Sequence, residues 1–304
     1  MDRRVLITGI CGFSGCYMCH YLNTLRERPE IIGVDIADTP PAGCDSFHKI
    51  DLSSADDVAE LFRQSKPNYV IHLAGTFGTN DPQAIYRINI LSITAILEAT
   101  LKHARAAIVV AVGSAAEYGH IDPKLMPIDE ETPCLPVMPY GLSKQLATQA
   151  AMYYHRVNGI AVMCVRPFQL IGRGVTSRLA PGAFARQLKQ AVQNHSKVMR
   201  VGNLQSSRDF LDIRDAVEAI WALCQKPAPG QIFNLCSGIP TGIADLLRMM
   251  IDHYRADVKV EVDPARVRGN DDVSQIYGSF KKVKDHCGWS PKRSLSESIS
   301  EMLK

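Results

Sequence analysis

The stretch Arg4-Val5-Leu6-Ile7-Thr8-Gly9-Ile10-Cys11-Gly12-Phe13-Ser14-Gly15 decides the fold of this chain. The residues before Gly9 predict a short buried strand, and the residues after the glycines predict a helix that runs to about Arg28. Glycines permit a tight bend and a close approach of backbone, while the helix N-terminus offers free N–H groups and a positive dipole. The turn therefore predicts a pyrophosphate site, although its spacing is G-x-x-G-x-x-G rather than G-x-G-x-x-G.

A second apolar segment, 31–34, ends at Asp35, about twenty residues after the glycine turn. A carboxylate at this position can accept hydrogen bonds from both hydroxyls of an adenosine ribose, and it repels a 2′-phosphate. Asp38 adds to the repulsion, and no arginine follows closely. We therefore predict that NAD(H) is favoured, with NADP(H) still possible. Without the glycine turn, an ordinary strand-end aspartate would be an equally good interpretation.

Strands and helices continue to alternate along the first half of the chain. Apolar segments predict strands at 47–50, 69–73 and 106–112, and helical patterns cover 54–65 and 83–103. This alternation predicts a parallel, doubly wound α/β sheet of the Rossmann type. Ligands of such sheets lie at the carboxyl ends of the strands, which here carry Asp51-Leu52, Leu73-Ala74-Gly75 and Ser114.

The segment Tyr140-Gly141-Leu142-Ser143-Lys144 places a tyrosine and a lysine on one face of a helix, one turn apart. An ammonium group and an oxidised nicotinamide both favour the phenolate, so they bring the pKa of a neighbouring tyrosine nearer neutrality. Such a tyrosine can protonate a carbonyl that receives hydride, or deprotonate an alcohol that gives one up. Taken alone, a solvated tyrosine beside a surface lysine is the better interpretation of this spacing.

Composition and charge exclude several classes of protein. The chain has 304 residues and a formal net charge of +3, without a run of Lys and Arg typical of nucleic-acid or polybasic membrane patches. Its N-terminus reaches Gly9 before a signal-peptide core could form, and no apolar run approaches ~18 residues. We expect a cytoplasmic protein that binds neither nucleic acid nor membrane.

The nine cysteines are scattered through apolar segments, which is typical of buried residues in a reducing compartment. Cys16-Tyr17-Met18-Cys19-His20 formally matches a haem-attachment pattern and contains a Cys-x-x-Cys pair. Haem attachment of that kind requires export, and a zinc site would need a second Cys/His pair nearby. We therefore predict no bound metal.

Together these motifs resemble those of the extended short-chain dehydrogenase/reductases, in register across the chain. The resemblance rests on Thr8-Gly9-x-x-Gly12-Phe13-x-Gly15, Asp35, Asp51-Leu52, His72-Leu73-Ala74-Gly75, Asn89, Ser114, Glu117-Tyr118-Gly119, Tyr140-x-x-x-Lys144 and Arg166-Pro167. It implies that Lys144 holds the nicotinamide ribose and lowers the pKa of Tyr140, while Ser114 hydrogen-bonds the reacting oxygen. The cofactor contacts that it implies are Gly9, Gly12, Phe13, Gly15, Asp35, Asp51, Leu52, Leu73, Ala74, Gly75, Asn89, Tyr140, Lys144 and Phe168.

The residues after Ser114 bear on the reaction. Dehydratases of the family carry an acid and a base directly after this position, whereas this chain has Ala115-Ala116 and places Glu117 one position late. Methyl groups cannot transfer protons. The resemblance therefore favours hydride transfer, as reduction or epimerisation, over dehydration.

The second half of the chain resembles the nucleotide-sugar branch of this family, and most closely the GDP-6-deoxy-D-mannose reductases. The substrate contacts implied are Thr76, Ser114, Gln169, Arg173, Arg208, Arg266 and Asp272. A guanidinium suits the diphosphate, although Arg208 could instead pair with Asp212 on a surface. Gln169 stands where the group has Asn, Arg173 brings a charge into the substrate loop, and segment 268–273 carries an apparent insertion. These departures leave the sugar and the base open.

We therefore expect reduction of the 4-keto group of a nucleotide-bound 4-keto-6-deoxyhexose, with GDP-4-keto-6-deoxy-D-mannose to GDP-D-rhamnose as the best guess. A nucleotide-sugar 4-epimerase with retained NAD is the enzymatic alternative. A cofactor-sensing or scaffold protein that lost the reaction is the non-enzymatic one.

The resemblance also implies two domains and a dimer. Residues 1–166 plus 214–235 would form the NAD(P)-binding domain, and 167–213 plus 236–304 a smaller C-terminal α/β domain that binds the nucleotide sugar. Helices 83–103 and 139–158 are apolar around much of their circumference. In the family such helices form a four-helix seam between two subunits, so we expect a homodimer; simple burial against the sheet is the alternative.

Overall fold

The computed structural model describes residues 3–79, 81–194, 197–266 and 273–303. Asp272, a predicted substrate contact, lies outside the described residues. The strands are β1 (Arg4–Thr8), β2 (Glu30–Asp35), β3 (Ser46–Lys49), β4 (Tyr69–His72), β5 (Ile108–Val112), β6 (Ala161–Pro167), β7 (Gln169–Ile171), β8 (Val198–Val201), β9 (Ser207–Asp212), β10 (Ile232–Leu235), β11 (Pro240–Gly242), β12 (Lys259–Val262) and β13 (Gln275–Ile276).

Helices cover the strands on both sides and connect them. They are α1 (Phe13–Asn23), α2 (Ala55–Ser65), α3 (Pro82–Tyr86), α4 (Ser92–His103), α5 (Pro139–Asn158), α6 (Ala180–Asn194), α7 (Ile213–Gln225), α8 (Ile243–Tyr254), α9 (Lys281–Cys287) and α10 (Leu295–Leu303). A π-helical turn, Arg87–Leu91, joins α3 to α4, and a 3₁₀ turn, Ala115–Glu117, follows β5.

The large sheet has seven strands in the order β10-β6-β5-β4-β1-β2-β3, and every neighbouring pair is parallel. The chain runs outward from β1 to β3 on one side and from β4 to β10 on the other. The direction of winding therefore reverses between β1 and β4, and ligands of such sheets bind at that point. The prediction of a parallel, doubly wound sheet is confirmed.

Two helix predictions need correction. The first helix ends at Asn23 and not near Arg28, because the chain turns back before Pro29, a residue that disfavours helix in its predecessor. Asn23 fixes this return, since its side chain donates to the Gly43 carbonyl at 3.0 Å and accepts from Arg28 at 2.6 Å. The helix predicted at 83–103 is interrupted by the π-helical turn, for a reason given with the site below.

A smaller α/β unit is built around β9, which pairs with β7, β11 and β13. Strands β8 and β12 form a separate pair. The apolar core of this unit includes Phe184, Leu188, Phe210, Leu246 and Ile299. The chain returns from it to the large sheet through α7 and β10, in keeping with the two discontinuous domains expected above, whose boundaries stay a prediction.

The helical stretch Pro82–His103 has the length and apolar composition of a membrane span, and half of its most apolar window is buried inside the protein. A core helix of a soluble protein meets the same criteria. The expectation of no membrane contact therefore stays a prediction.

Candidate active site

The glycine turn between β1 and α1 has the shape that a bound pyrophosphate requires. Gly9 has φ of +67°, and a Cβ there would lie 2.8 Å from the Ala74 backbone. A Cβ on Gly15 would lie 2.2 Å from the Gly9 carbonyl oxygen. Gly12 begins α1 without a side-chain cap, so the first N–H groups of the helix remain available to an anion. The residues present therefore fit a dinucleotide pyrophosphate.

Asp35, at the end of β2, lies beside this turn. One carboxylate oxygen accepts the Cys11 N–H at 2.9 Å, and the other accepts the Ile36 and Ala37 N–H groups at 2.8 and 3.1 Å. The carboxylate is thus fixed beside the glycine turn, and its contact with a ribose stays a prediction. Asp38 forms an ion pair with Lys49 on the surface, so its repulsion of a 2′-phosphate is weaker than the sequence suggested.

The carboxyl ends of β3 and β4 supply the next predicted cofactor contacts. Asp51 accepts the N–H and hydroxyl of Ser53 at 2.9 and 2.8 Å, and these bonds lower the pKa of its carboxyl group. Leu52 is buried beside it. Leu73 and Ala74 follow β4, and the Ala74 N–H donates to the Thr8 hydroxyl at 3.2 Å. The Ala74–Thr8 contact joins the ends of β4 and β1, between which the winding reverses.

Asn89 fastens the segment after β4 and explains the π-helical turn. Its side-chain oxygen accepts the Thr76 N–H at 2.7 Å, and its NH₂ group donates to the Thr76 carbonyl and the Ser143 hydroxyl at 2.9 and 2.8 Å. The widened turn brings this buried amide to the strand end, and π-bulges of this kind occur frequently at functional sites. Asn89 thus acts on the predicted substrate contact Thr76, and Ser143 is a partner that the sequence did not reveal.

The three predicted catalytic residues meet at the carboxyl end of β5. Ser114 follows the strand and hydrogen-bonds Tyr140, which lies in the first turn of α5. One turn later, Lys144 is 7% exposed and donates to the Val112 carbonyl at 2.9 Å. The helical spacing of Tyr140 and Lys144 and the strand end of Ser114 therefore converge on one place.

Burial controls the protonation of this group. It raises the pKa of Tyr140 to about 12, an effect opposed by the Ser114 hydrogen bond and reinforced by the charge of Glu117. Burial also lowers the pKa of Lys144 to about 8, against the opposing charge of Glu117. In the chain by itself the pKa of Tyr140 thus moves in the opposite direction to the one that the resemblance implies. The effect of an oxidised nicotinamide is a separate contribution and stays a prediction.

A loop after β4 contacts Tyr140, the predicted proton donor, and no motif in the sequence indicated this contact. The Phe77 ring meets the Tyr140 ring edge-on, with 5.8 Å between centroids. The neighbouring Gly78 carbonyl accepts a hydrogen bond from Arg178, which precedes α6 in the smaller unit. The contact therefore joins the two sides of the site above Tyr140.

Phe168, predicted to touch the cofactor, is 4% exposed and belongs to a small apolar cluster. Its ring packs 6.4 Å from that of Tyr118, and a Cβ on Gly278 would lie 2.4 Å from it. Gln169 follows it in β7 and is partly exposed. Phe168 therefore packs within this apolar cluster, and any cofactor contact that it makes stays a prediction.

Exposed arginines dominate the substrate side. Arg173 is exposed in the loop after β7, and its carbonyl accepts the Tyr17 hydroxyl at 3.1 Å, so the loop rests on α1. Arg208 lies on β9 and donates to the Ser207 carbonyl at 2.8 Å, whereas Asp212 is engaged by Arg214 at 2.7 Å.

Arg266 is exposed further along the smaller unit. It donates to the Arg200 carbonyl at 2.8 Å and lies 3.3 Å from Asp263. The predicted diphosphate contacts therefore come from several separate elements, and their joint binding of a substrate stays a prediction.

Comparison with known proteins agrees with this arrangement. Residues 5–236 match the model of the NAD dependent epimerase/dehydratase family. The chain is 29% identical to GDP-6-deoxy-D-mannose reductase from Pseudomonas aeruginosa, over 100% of this chain and 97% of that protein. It is 27% identical to GDP-6-deoxy-D-talose 4-dehydrogenase from Aggregatibacter actinomycetemcomitans, over 92% and 90% of the two chains. The solved structure of RMD from Pseudomonas aeruginosa complexed with NADPH matches with a TM-score of 0.86 and 27% identity, covering 99% of this chain and 98% of that one.

Proposed function

Because the chain belongs to the NAD dependent epimerase/dehydratase family, we propose that it reduces the 4-keto group of a nucleotide-activated 4-keto-6-deoxyhexose. It is an NAD(P)-dependent enzyme that modifies nucleotide sugars. The best candidate for the substrate is GDP-4-keto-6-deoxy-D-mannose, with GDP-D-rhamnose as the product. A GDP-6-deoxyhexose also appears in the names of both relatives above, which supports this choice.

One observation carries the proposal of simple hydride transfer. Ser114, Tyr140 and the buried Lys144 converge at one strand end, and the residues directly after Ser114 are alanines. Removal of water from a sugar needs a further acid and base at that place, and methyl groups provide neither. The site is thus equipped to move one proton at one oxygen.

In this proposal the cofactor supplies hydride to C4 of the sugar when it is bound. Tyr140 donates the proton to the C4 oxygen, Ser114 orients that oxygen by a hydrogen bond, and Lys144 grips the nicotinamide ribose. The glycine turn holds the pyrophosphate, and Asp35 meets the adenosine ribose. Donors fixed before the reaction at the developing alkoxide lower the barrier without further reorganisation.

The direct test follows the absorbance of NADH, then NADPH, after mixing with enzyme and fresh GDP-4-keto-6-deoxy-D-mannose. A reductase consumes one reduced cofactor for each sugar reduced. No oxidation with this sugar, or with the matching UDP-, dTDP- and CDP-sugars, would contradict the proposal.

A nucleotide-sugar 4-epimerase is the second candidate, since the family model covers epimerases and the same three residues serve that reaction. An epimerase retains its NAD through oxidation and re-reduction. NAD that survives purification, with inversion at C4 and no net consumption of cofactor, would favour this reading.

A cofactor-sensing protein that has lost the reaction is the non-enzymatic candidate. The three intact catalytic residues argue against it. A sensor would have no turnover to lose in Tyr140→Phe and would keep its partner binding.

Asp35 supports a preference for NADH over NADPH in this chain, because its carboxylate repels a 2′-phosphate. The NADPH bound to the P. aeruginosa structure makes the comparison of both cofactors part of the first assay. A cytoplasmic location remains our expectation from the sequence.

We also propose a homodimer through a four-helix seam. Helices α4 and α5, with the turn before α4, expose Leu91, Leu146, Tyr153 and Val157 by 43–56% of their surface. Large apolar side chains exposed along neighbouring helices mark an interface. The prediction is a dimer mass in solution scattering that falls to the monomer mass in Leu146→Glu; a monomer at all concentrations of the native chain would contradict it.

A further inference from the structure

Glu117, which stands one position later than the acid of the dehydratases, has a fully buried carboxylate directly behind the catalytic serine. One oxygen accepts the Ser114 N–H at 2.9 Å and the Thr148 hydroxyl at 3.2 Å. The other accepts from Arg166 Nε at 2.9 Å. A Cβ on Gly113 would lie 2.1 Å from the carboxylate, so the glycine leaves the space that Glu117 fills.

Arg166, the partner of this carboxylate, is itself anchored. It donates to the Tyr118 hydroxyl at 3.1 Å, and that hydroxyl donates to the Asn234 side chain at 2.7 Å. Its guanidinium also lies over the Tyr118 ring, 4.9 Å from the centroid. A buried ion pair is costly to desolvate and is retained only where its geometry and hydrogen bonds are good. This pair meets that condition and is therefore rigid.

Two side chains hold the backbone at the carboxyl end of β5. Lys144 binds the Val112 carbonyl, and Glu117 binds the N–H of Ser114 two residues later. The titratable groups that face Glu117 are Tyr118 beside it, Arg166 and Cys164 on β6, Tyr140 and Lys144 on α5, and Cys134 before α5. The negative charge raises the pKa of both Tyr140 and Lys144, so it keeps the proton donor and the ribose-binding ammonium protonated.

We propose that Glu117 is a positioning residue for the reaction: its carboxylate, paired with Arg166, fixes the backbone of Ser114 and maintains negative charge behind the Tyr140 hydroxyl. The inference rests on the proposed function for its chemistry. A reductase needs Tyr140 protonated until hydride arrives, and a fixed anion behind the tyrosine serves that need.

The decisive variant is Glu117→Gln, which keeps the size of the side chain and one oxygen that can accept from Ser114 and Thr148, and removes its charge. We expect the alkaline limb of kcat/KM for keto-sugar reduction to move to lower pH, because Tyr140 and Lys144 both lose their protons at lower pH without the Glu117 charge. Glu130→Gln is the matched control, since this half-buried carboxylate binds the Asn234 N–H at 2.7 Å and does not act on Tyr140. Its limb should coincide with that of the native enzyme.

A second readout separates this inference from the proposed substrate. With NAD bound and no sugar present, tyrosinate absorbance is titrated in each protein and in its Tyr140→Phe counterpart, and the difference reports Tyr140. Ionisation at lower pH in Glu117→Gln supports the inference even if no keto sugar is turned over. Identical Tyr140 titrations in the native protein and a folded Glu117→Gln would overturn it.

Arg166 loses its partner in Glu117→Gln, and an unpaired buried charge can prevent folding. The double variant Glu117→Gln/Arg166→Gln removes both charges and carries the same test. We expect it to fold and to ionise Tyr140 at lower pH than the native protein does; an unchanged titration in the folded double variant would equally overturn the inference.

Discussion

The two sides of the active site are built differently. On the side of the large sheet, the polar groups are buried and bonded to one another, as Asn89 is to Thr76 and Glu117 is to Arg166. On the side of the smaller unit, Arg173, Arg178 and Arg266 are exposed. The buried groups on the side of the large sheet fix where a proton can move. The exposed arginines on the side of the smaller unit can rearrange.

This difference shows why the reaction class is easier to infer than the substrate. A buried network tolerates few alternative geometries, because each unpaired group would cost a desolvation penalty. Exposed guanidinium groups bind many phosphates with similar strength. The side of the large sheet, the rigid half, therefore points to hydride transfer to a sugar carbon with proton transfer at its oxygen. The side of the smaller unit, the open half, decides which nucleotide sugar is bound.

The largest expected effect comes from the rigid half. Tyr140→Phe removes the proton donor and keeps the ring that packs on Phe77, so kcat should fall by about 10²- to 10⁴-fold with little change in KM. Steady-state kinetics with the keto sugar measure both constants. Tyr153→Phe, at an exposed tyrosine on the same helix, is the control and should retain full activity. A comparable loss in both variants would remove Tyr140 from its role.

The rigid half should also make the fold sensitive to acid. His72 is buried between Thr8 and Ser92, and burial, helped by the Lys144 charge, lowers its pKa to about 3 from 6.5. Its neutral form contributes stability above pH 6.5, and that contribution, on the order of several kcal/mol, is lost as the pH falls through this window.

Denaturant unfolding at several pH values tests this expectation. The free energy of unfolding should fall less steeply with acid in His72→Gln than in the native chain, while His20→Gln at an exposed position on α1 should match the native slope. Equal slopes in all three proteins would mean that His72 does not stay neutral in the fold.

The next largest effect that we expect concerns the choice between NADH and NADPH. Asp35→Asn removes the charge that repels a 2′-phosphate, so the ratio of kcat/KM for NADH over NADPH should fall by about tenfold or more. Asp38→Asn is the control, because that side chain is 84% exposed and already paired with Lys49. If Asp38→Asn shifts the ratio as strongly, the selective carboxylate has been misassigned.

The smallest effect should come from the open half. Arg173→Ala removes an exposed cation from the loop that rests on α1, and we expect KM for the nucleotide sugar to rise about tenfold with kcat nearly unchanged. Arg248→Ala, at an exposed arginine paired with Asp245 on α8, provides the comparison. A fall in kcat without a rise in KM would mean that Arg173 acts in the chemical step and not in binding of the nucleotide sugar.

The parts of the molecule that the sequence predicted well are local in the chain. The glycine turn, the strand before it and the Tyr140–Lys144 spacing each depend on residues within a few positions of one another, so their patterns are visible without a structure. Asn89 and Glu117 show the limit. Asn89 bonds a backbone thirteen residues away, and Glu117 pairs with a residue forty-nine positions away, so no local pattern encodes either contact.

The substrate side was predicted least well for a related reason. Its arginines come from the loop after β7, from β9 and from the turn after β12, and the Arg178–Gly78 contact joins segments one hundred residues apart. Burial raises the pKa of Tyr140 in the chain by itself, which the lysine spacing did not reveal, and the lowering expected with an oxidised nicotinamide stays a prediction. A motif identifies which residue types are present, whereas burial in the folded chain shifts the pKa values of their ionisable groups.

One measurement tests the central claim most directly. The enzyme is given GDP-4-keto-6-deoxy-D-mannose and NADH deuterated at the transferred position of C4, and the product sugar is examined by mass spectrometry and NMR. Our account predicts one deuterium at C4 of the sugar in each product molecule, with labelled product forming about 10²- to 10⁴-fold more slowly in Tyr140→Phe. Absence of deuterium from the sugar, with the NADH left unconsumed, would contradict the reductase.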